Sequence, residues 1–281
     1  MPIATRCPAA RISRILACVT IAAAQPAPRP PRRVDVDDVA FRVLSAGPSA
    51  ASAALPPTVL VHGIGASHRY LSRLHATLAV DGAVHSIDLP GYAGLPKPGR
   101  DLPVEAMAHG LTAVIAGLDL GPVVLVGHSM GAQWVVEAAA QRPDLVTDVV
   151  IMGPVADAAH RTLPAQLSAL ALDTLGESPT VNGIVFTDYL RCGVPWYLAQ
   201  VRHMLSYPIE ERVAALDVPL LVLRGARDPI AGREWCRALR DAAASATLVE
   251  IPRGFHVVQH TAPRAVASAI RALTGRAQVT A

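Results

Sequence analysis

From Val34 to Leu273 the chain alternates between short apolar runs and longer amphipathic ones. Val34, Val36, Val39, Phe41 and Val43 occupy alternating positions around Asp37-Asp38. That is the period of a strand with one buried face, folded back on itself as an antiparallel hairpin. Six further short runs, 58–62, 83–88, 122–127, 146–152, 219–224 and 247–251, are apolar with no regular polar alternation. Helical patterns separate them: 68–79, capped by Ser67 and followed by Gly82; 103–121, opened by Pro103; then 130–142, 231–243 and 262–273. Strands without polar alternation, spaced by helices, predict an α/β fold with a mostly parallel eight-stranded sheet, helices on both faces and the hairpin at one edge. Residues 155–217 break the alternation and read as helices and loops. An insertion at one end of such a sheet is expected to form a helical lid. The predicted organisation is thus an arm (1–33), a core (34–154 and 218–275), a lid (155–217) and a short tail (276–281).

Composition narrows this further. Hydrophobic residues make up 52% and charged residues 17%, enough for a large core and too apolar for a disordered chain. No run reaches the roughly 18 apolar residues of a membrane span. The net charge of +3 is unevenly spread. The first 33 residues hold six arginines and no acid, while the remainder holds 19 bases against 22 acids. A slightly acidic folded part argues against a nucleic-acid surface. Cys7, Cys18, Cys192 and Cys236 match neither zinc-ligand spacing nor a disulfide scaffold and read as reduced thiols.

The arm has two readings. Arginines, the apolar run 15–24 and the small residues Ala22-Ala23-Ala24 resemble a signal peptide, which would make the protein secreted. Against this, the run is short, Pro8 lies early, and 25–33 is a Pro/Arg linker without a foldable pattern, so a disordered arm on a cytoplasmic protein is preferred. Deleting residues 1–30 is expected to change the melting temperature by no more than a few degrees and to leave ester turnover intact. A larger drop would show that the arm packs on the domain.

The strongest local signal is Gly127-His128-Ser129-Met130-Gly131, where a strand meets a helix. A serine on that sharp turn lifts its hydroxyl above the sheet, and the flanking glycines let strand and helix approach closely. The helix also sets its positive end beside the serine. With His62-Gly63, Asp88-Leu-Pro-Gly91 and the acid and base described below, the chain resembles the α/β-hydrolase fold superfamily. Within it, the likeness is to the lid-bearing, serine-nucleophile branch of esterases, haloperoxidase-like proteins and C–C bond hydrolases. The resemblance covers about 34–273.

That family carries nucleophile, acid and base in the order Ser, Asp or Glu, His. Asp228, in Gly225-Ala-Arg-Asp228-Pro229, matches the family's G-x-x-D turn, with Asp157 as its rival. His256 and His260 both follow the last strand. The family's proline seven residues after its base matches Pro263 and selects His256, leaving His260 as a loop residue before a Thr261 helix cap. The resemblance assigns the oxyanion hole to the backbone N–H groups of Ile64 and Met130. It calls for no metal or organic cofactor. Two positions depart from the pattern. The loop Gly91-Tyr92-Ala93-Gly94 replaces the usual G-x-G, and Phe255 stands before the base, where a small residue is usual.

Phe186, Tyr189, Trp196, Tyr197 and Tyr207 are five of the chain's eleven aromatic residues, gathered within 22 positions of the insertion. Phe186, Tyr189, Trp196 and Tyr197, with Phe255, are expected to line an apolar substrate pocket, while the alternative makes these aromatics the lid's own small core. Arg191, Arg202 and His203 are candidates to meet an acidic substrate group. The function implied is hydrolysis of a small apolar or aromatic carboxylic ester through an acyl-enzyme, with Ser129, Asp228 and His256 as the triad. C–C or thioester cleavage, a lyase or perhydrolase reaction, and a slow-turnover ligand receptor are the alternatives.

Overall fold

The computed structural model describes residues 29–53 and 55–279, so the predicted signal segment lies outside the described residues. In chain order the elements are β1 (Arg32–Val36), β2 (Val39–Ala46), β3 (Thr58–Val61), α1 (His68–Leu78), β4 (Val84–Asp88), α2 (Val104–Ala116), β5 (Val123–His128), α3 (Gly131–Gln141) and β6 (Val146–Met152). The insertion supplies α4 (Leu163–Gly176), α5 (Pro179–Cys192), α6 (Val194–Ser206) and α7 (Ile209–Ala214). The core then resumes with β7 (Leu220–Gly225), α8 (Arg233–Ala242), β8 (Ala246–Ile251), α9 (Val258–Thr261) and α10 (Pro263–Val279).

The eight strands form one sheet in the order β1-β2-β4-β3-β5-β6-β7-β8. β1 and β2 pair antiparallel, as do β2 and β4, and every other pairing is parallel. Because side chains alternate along a strand, the central strands feed two cores. Val59, Val61, Val123 and Leu125 pack with α2, α3 and α8. Leu60, Val124 and Val126 pack with α1 and α10 on the other face. Asp37 turns the hairpin at φ 51°, a left-handed conformation that a short acidic side chain tolerates.

Several boundaries move. β1 begins at Arg32, inside the segment expected to be arm, because Arg32 and Arg33 pair with Val43 and Arg42. α2 stops at Ala116 with Gly117 as its cap, short of Gly121. α10 runs through Gly275 to Val279, so most of the expected tail is helix. Thr261 does not cap it. Thr261 ends the short α9 and donates its hydroxyl to Val257 O at 3.1 Å, and His260 is a buried helical residue, not a loop one.

The insertion also divides in two. α7 packs back on α3 and α8, burying Ile209 and Val213. The Tyr207 hydroxyl and the Arg212 guanidinium both donate to the buried Glu137 of α3, at 2.7 and 2.8 Å. α4, α5 and α6, but not α7, contribute residues to the cavity that Ser129 also lines. Cys192 and Cys236 are free and buried, and burial pushes their thiols up to about 11 and about 12. Among the described residues no helix is long and apolar enough to cross a membrane.

Candidate active site

β5 ends at His128, α3 begins at Gly131, and Ser129 makes the turn between them at φ 58°. For a residue with a side chain, that conformation costs on the order of 1–3 kcal/mol. The surroundings hold it. Ser129 N–H donates to Met152 O at 2.9 Å. A Cβ at Gly127 would strike the Gly131 carbonyl, and one at Gly131 would stand 2.6 Å from His62 O. A Cβ at Gly63 would meet the Ser129 side chain itself, 2.7 Å from its Cβ. These three glycines therefore bring strand, helix and the His62-Gly63 loop into contact around the serine. Among the described residues the Ser129 hydroxyl makes no hydrogen bond within the protein, and it lines the principal cavity.

Asp228 and His256 come from the loops after β7 and β8. Asp228 Oδ1 accepts from Ile230 N–H and Ala231 N–H at 2.8 and 2.9 Å, while Oδ2 faces His256 Nδ1 at 2.9 Å. Burial alone would raise the Asp228 carboxyl; the His256 charge, its hydrogen bond and the two N–H donors outweigh it and hold the carboxyl below its ordinary value. For His256, burial pulls the pKa down, but Asp228 and the carboxylates of Asp173 and Glu177 raise it to about 9. The rival Asp157 is elsewhere: it caps Ala159 N–H at 2.9 Å and pairs with His160 on the surface. His256 also fills the space beside Gly153, where a Cβ would stand 2.9 Å from its ring.

His128 ties these pieces together. Gly63 N–H donates to Tyr70 Oη at 2.6 Å, and that hydroxyl reaches His128 Nδ1 at 2.7 Å. His128 Nε2 lies 3.0 Å from His256 O. Burial pushes His128 down to about 3, so it is neutral, and one proton on Nε2 satisfies the whole chain. His62 has a similar supporting place: Nδ1 is 2.8 Å from Gly63 O and Nε2 accepts from Leu89 N–H. The N–H groups of Ile64 and Met130 carry no intramolecular hydrogen bond among the described residues, and Ile64 lines the cavity next to Ser129.

The cavity measures about 700 Å³ including the space at its open mouth. Ser129, His256, Tyr70 and His128 form its floor, and Leu170, Val181, Val185 and Met204 of the insertion form apolar walls. Tyr189 and Tyr197 line it as a pair, with ring centroids 5.3 Å apart. The Tyr189 ring lies over Gly65 at φ 72°, where any Cβ would collide with it.

The other expected lining residues are not there. Trp196 is buried against Gly91, in the space that a Cβ at that position would need, and beside Tyr92 at 6.3 Å between centroids. Trp196 thus needs glycine at 91, while Ala93 holds the altered part of that loop at φ 53°. Phe186 is 63% exposed on the outer side of α5. Phe255 turns away from the cavity and fills the space over Gly176 at the end of α4. Arg191 pairs with Asp188, and Arg202 and His203 pair with Asp101, all outside the cavity. In their place α4 and its C-cap bring two carboxylates, Asp173 and Glu177, both buried and both raised by burial. The sequence reading missed them. The available signal was that Asp173 is the only charged residue between Arg161 and Glu177.

A family model described as the alpha/beta hydrolase family matches residues 58–269. The chain belongs to that family. Its sheet is the eight-stranded, mostly parallel one of that family. A hydrolase of Acinetobacter baylyi named for (E)-2-((N-methylformamido)methylene)succinate is 26% identical over 235 residues, 77% of this chain and 89% of that one. An uncharacterised protein of Mycobacterium tuberculosis is 34% identical over 113 residues, 40% of this chain; the match spans 31% of that longer relative. Among solved structures, a putative lipase from Acinetobacter baumannii superposes with a TM-score of 0.74 at 17% identity, over 90% of this chain and 93% of that one, which shows the shared fold.

Proposed function

We propose that this hydrolase cleaves a carboxylic ester through an acyl-enzyme on Ser129, with α4 to α6 as the lid of its pocket. One observation carries the reading. Ser129 at φ 58° shares a cavity with His256, whose other ring nitrogen is held by a buried Asp228. In the reaction His256 Nε2 takes the Ser129 proton as Oγ bonds to the substrate carbonyl carbon. The N–H groups of Ile64 and Met130 receive the oxyanion. The carbonyl–oxygen bond to the alcohol then breaks, and His256 returns its proton to the departing oxygen. Water repeats the sequence on the acyl-enzyme and releases the acid. Asp228 orients His256 and stabilises its charged form.

The pocket's chemistry supports a neutral acyl group. Asp173 and Glu177 line it, and no lysine or arginine does among the described residues. A substituted succinate, as in the name of the Acinetobacter baylyi relative, would bring negative charge toward two buried carboxylates. A screen of p-nitrophenyl esters of graded acyl length, with thioesters, β-diketones and an acidic acyl ester alongside, tests this. Neutral esters are expected to be turned over and the acidic one to be poor. Turnover of β-diketones or thioesters alone would reject the ester reading.

The same panel locates specificity. Tyr189→Ala and Tyr197→Ala are expected to change relative kcat/KM between short and long esters by roughly 10–200-fold, the range of methylene-sized contacts. Trp196→Ala is expected to leave those ratios unchanged and to destabilise the protein by about 3–5 kcal/mol, because Trp196 packs on Gly91 and Tyr92. Equal scaling of all esters by both tyrosine variants would reduce the pair to lid core.

A further inference from the structure

Three consecutive residues of the loop that carries His256 are each engaged by one face of α4 and the residue just beyond it. Phe255 lies over Gly176, in the space a Cβ at position 176 would occupy. His256 N–H donates to Asp173 Oδ1 at 2.9 Å, and Val257 N–H donates to Glu177 Oε1 at 2.7 Å. Positions 173 and 176 are spaced i and i+3 and share one side of α4, and Glu177, the C-cap with extended backbone, follows directly. The two N–H groups are buried and their acceptors come from the insertion, not from the core. Placing two carboxylates four residues apart in a buried site is unfavourable in itself, since both are desolvated and each repels the other. Amide side chains would accept the same hydrogen bonds without that repulsion, which points to a use for the charge.

We propose that Asp173 and Glu177 are positioning residues: they bind the base loop to α4 and hold His256 in its working place and charge state only while that helix is docked. The proposal rests on His256 being the base of the proposed reaction. Movement of α4 off the loop would leave His256 N–H and Val257 N–H without acceptors and remove two negative charges from beside the ring. Covering the pocket and readying the base are then one event. The large Phe255, unusual before the base, is the third part of the same contact, and glycine at 176 makes room for it.

The titratable groups facing the pair are His256 and Asp228 from the core and, along α4, each other. His128 faces His256 from β5, at 4.6 Å between ring centroids. Both carboxylates raise His256, so neutralising them is expected to lower its pKa.

The test uses the full chain with Asp173→Ala, Glu177→Ala, Asp173→Asn and Glu177→Gln. It measures kcat and KM on a p-nitrophenyl ester, the pH profile of kcat/KM, and the rate at which a fluorophosphonate labels Ser129. The alanine variants are expected to lose at least about tenfold in kcat and in labelling rate, with KM changed less than about threefold. The Asn and Gln variants keep an acceptor oxygen and are expected to recover to within about threefold of the parent. Their rising limb in pH is expected to lie lower than the parent's. A purely structural role would not move that limb. If an alanine variant fails to fold, the Asn and Gln limbs decide. Unchanged labelling in every variant, an effect confined to KM, or an unmoved limb would overturn the proposal alone. A parent protein whose Ser129 is not labelled would overturn both this and the ester reading.

Discussion

Replacement of Ser129 by alanine is expected to lower ester turnover by up to about 10⁶-fold, the loss seen when the nucleophile of a serine hydrolase is removed. The size follows from the proposed mechanism, in which no bond to the substrate forms without Oγ. Fold and stability are expected to survive. Ser129 lies in a left-handed turn whose space is defined by Gly63, Gly127 and Gly131, and removal of one oxygen leaves those contacts in place. Steady-state kinetics on a p-nitrophenyl ester, with thermal melting as the control, measures both. Retained turnover in a folded Ser129→Ala variant would require a different nucleophile.

Asp228→Asn is expected to produce the second largest loss, about 10⁴-fold in kcat, the effect of the equivalent change in a serine protease triad. An amide at that position still meets Ile230 and Ala231 but presents the wrong partner to His256 Nδ1. The pH profile separates this from simple misfolding. His256 is raised to about 9 in the free enzyme and acts as a base only when neutral, so kcat/KM of the parent is expected to rise with pH up to about 9. Without the Asp228 charge, burial dominates and that limb moves to lower pH. Stability carries the same sign. A histidine raised from 6.5 to about 9 contributes stability that is fully present below about pH 6.5 and is lost as pH rises through about 9. Asp228 is held low, so its share is present above its unfolded value and is lost as pH falls through the native one. The variant is expected to lose both dependences.

The core was legible because its strands have no polar alternation and its turns have no freedom. Runs such as Val123-Val124-Leu125-Val126 are buried on both faces and leave one reading, a central parallel strand. The elbow was legible for a related reason, since Gly127 and Gly131 are demanded by contacts that the pentapeptide already implies. Asp228 and His256 follow strands, so their places were fixed by chain order together with family register. The insertion was not legible in the same way. On its helix α4, Leu172 and Leu175 are 60% and 85% exposed, while Leu170, Asp173 and the C-cap Glu177 face the cavity. Apolar residues therefore stand on both faces of α4, and their spacing does not mark the inner one. The aromatic residues misled through chemistry that sequence does not carry. Trp196 and Phe255 are placed by Gly91 and Gly176, partners 105 and 79 positions away whose only qualification is the lack of a side chain.

The most direct measurement of the central claim is covalent labelling of the folded protein by a serine-directed fluorophosphonate, read by intact-mass spectrometry and peptide mapping. The account predicts a single adduct, on Ser129, formed more slowly when Asp228 is replaced by asparagine. An adduct on any other residue, or none on folded protein, would contradict it.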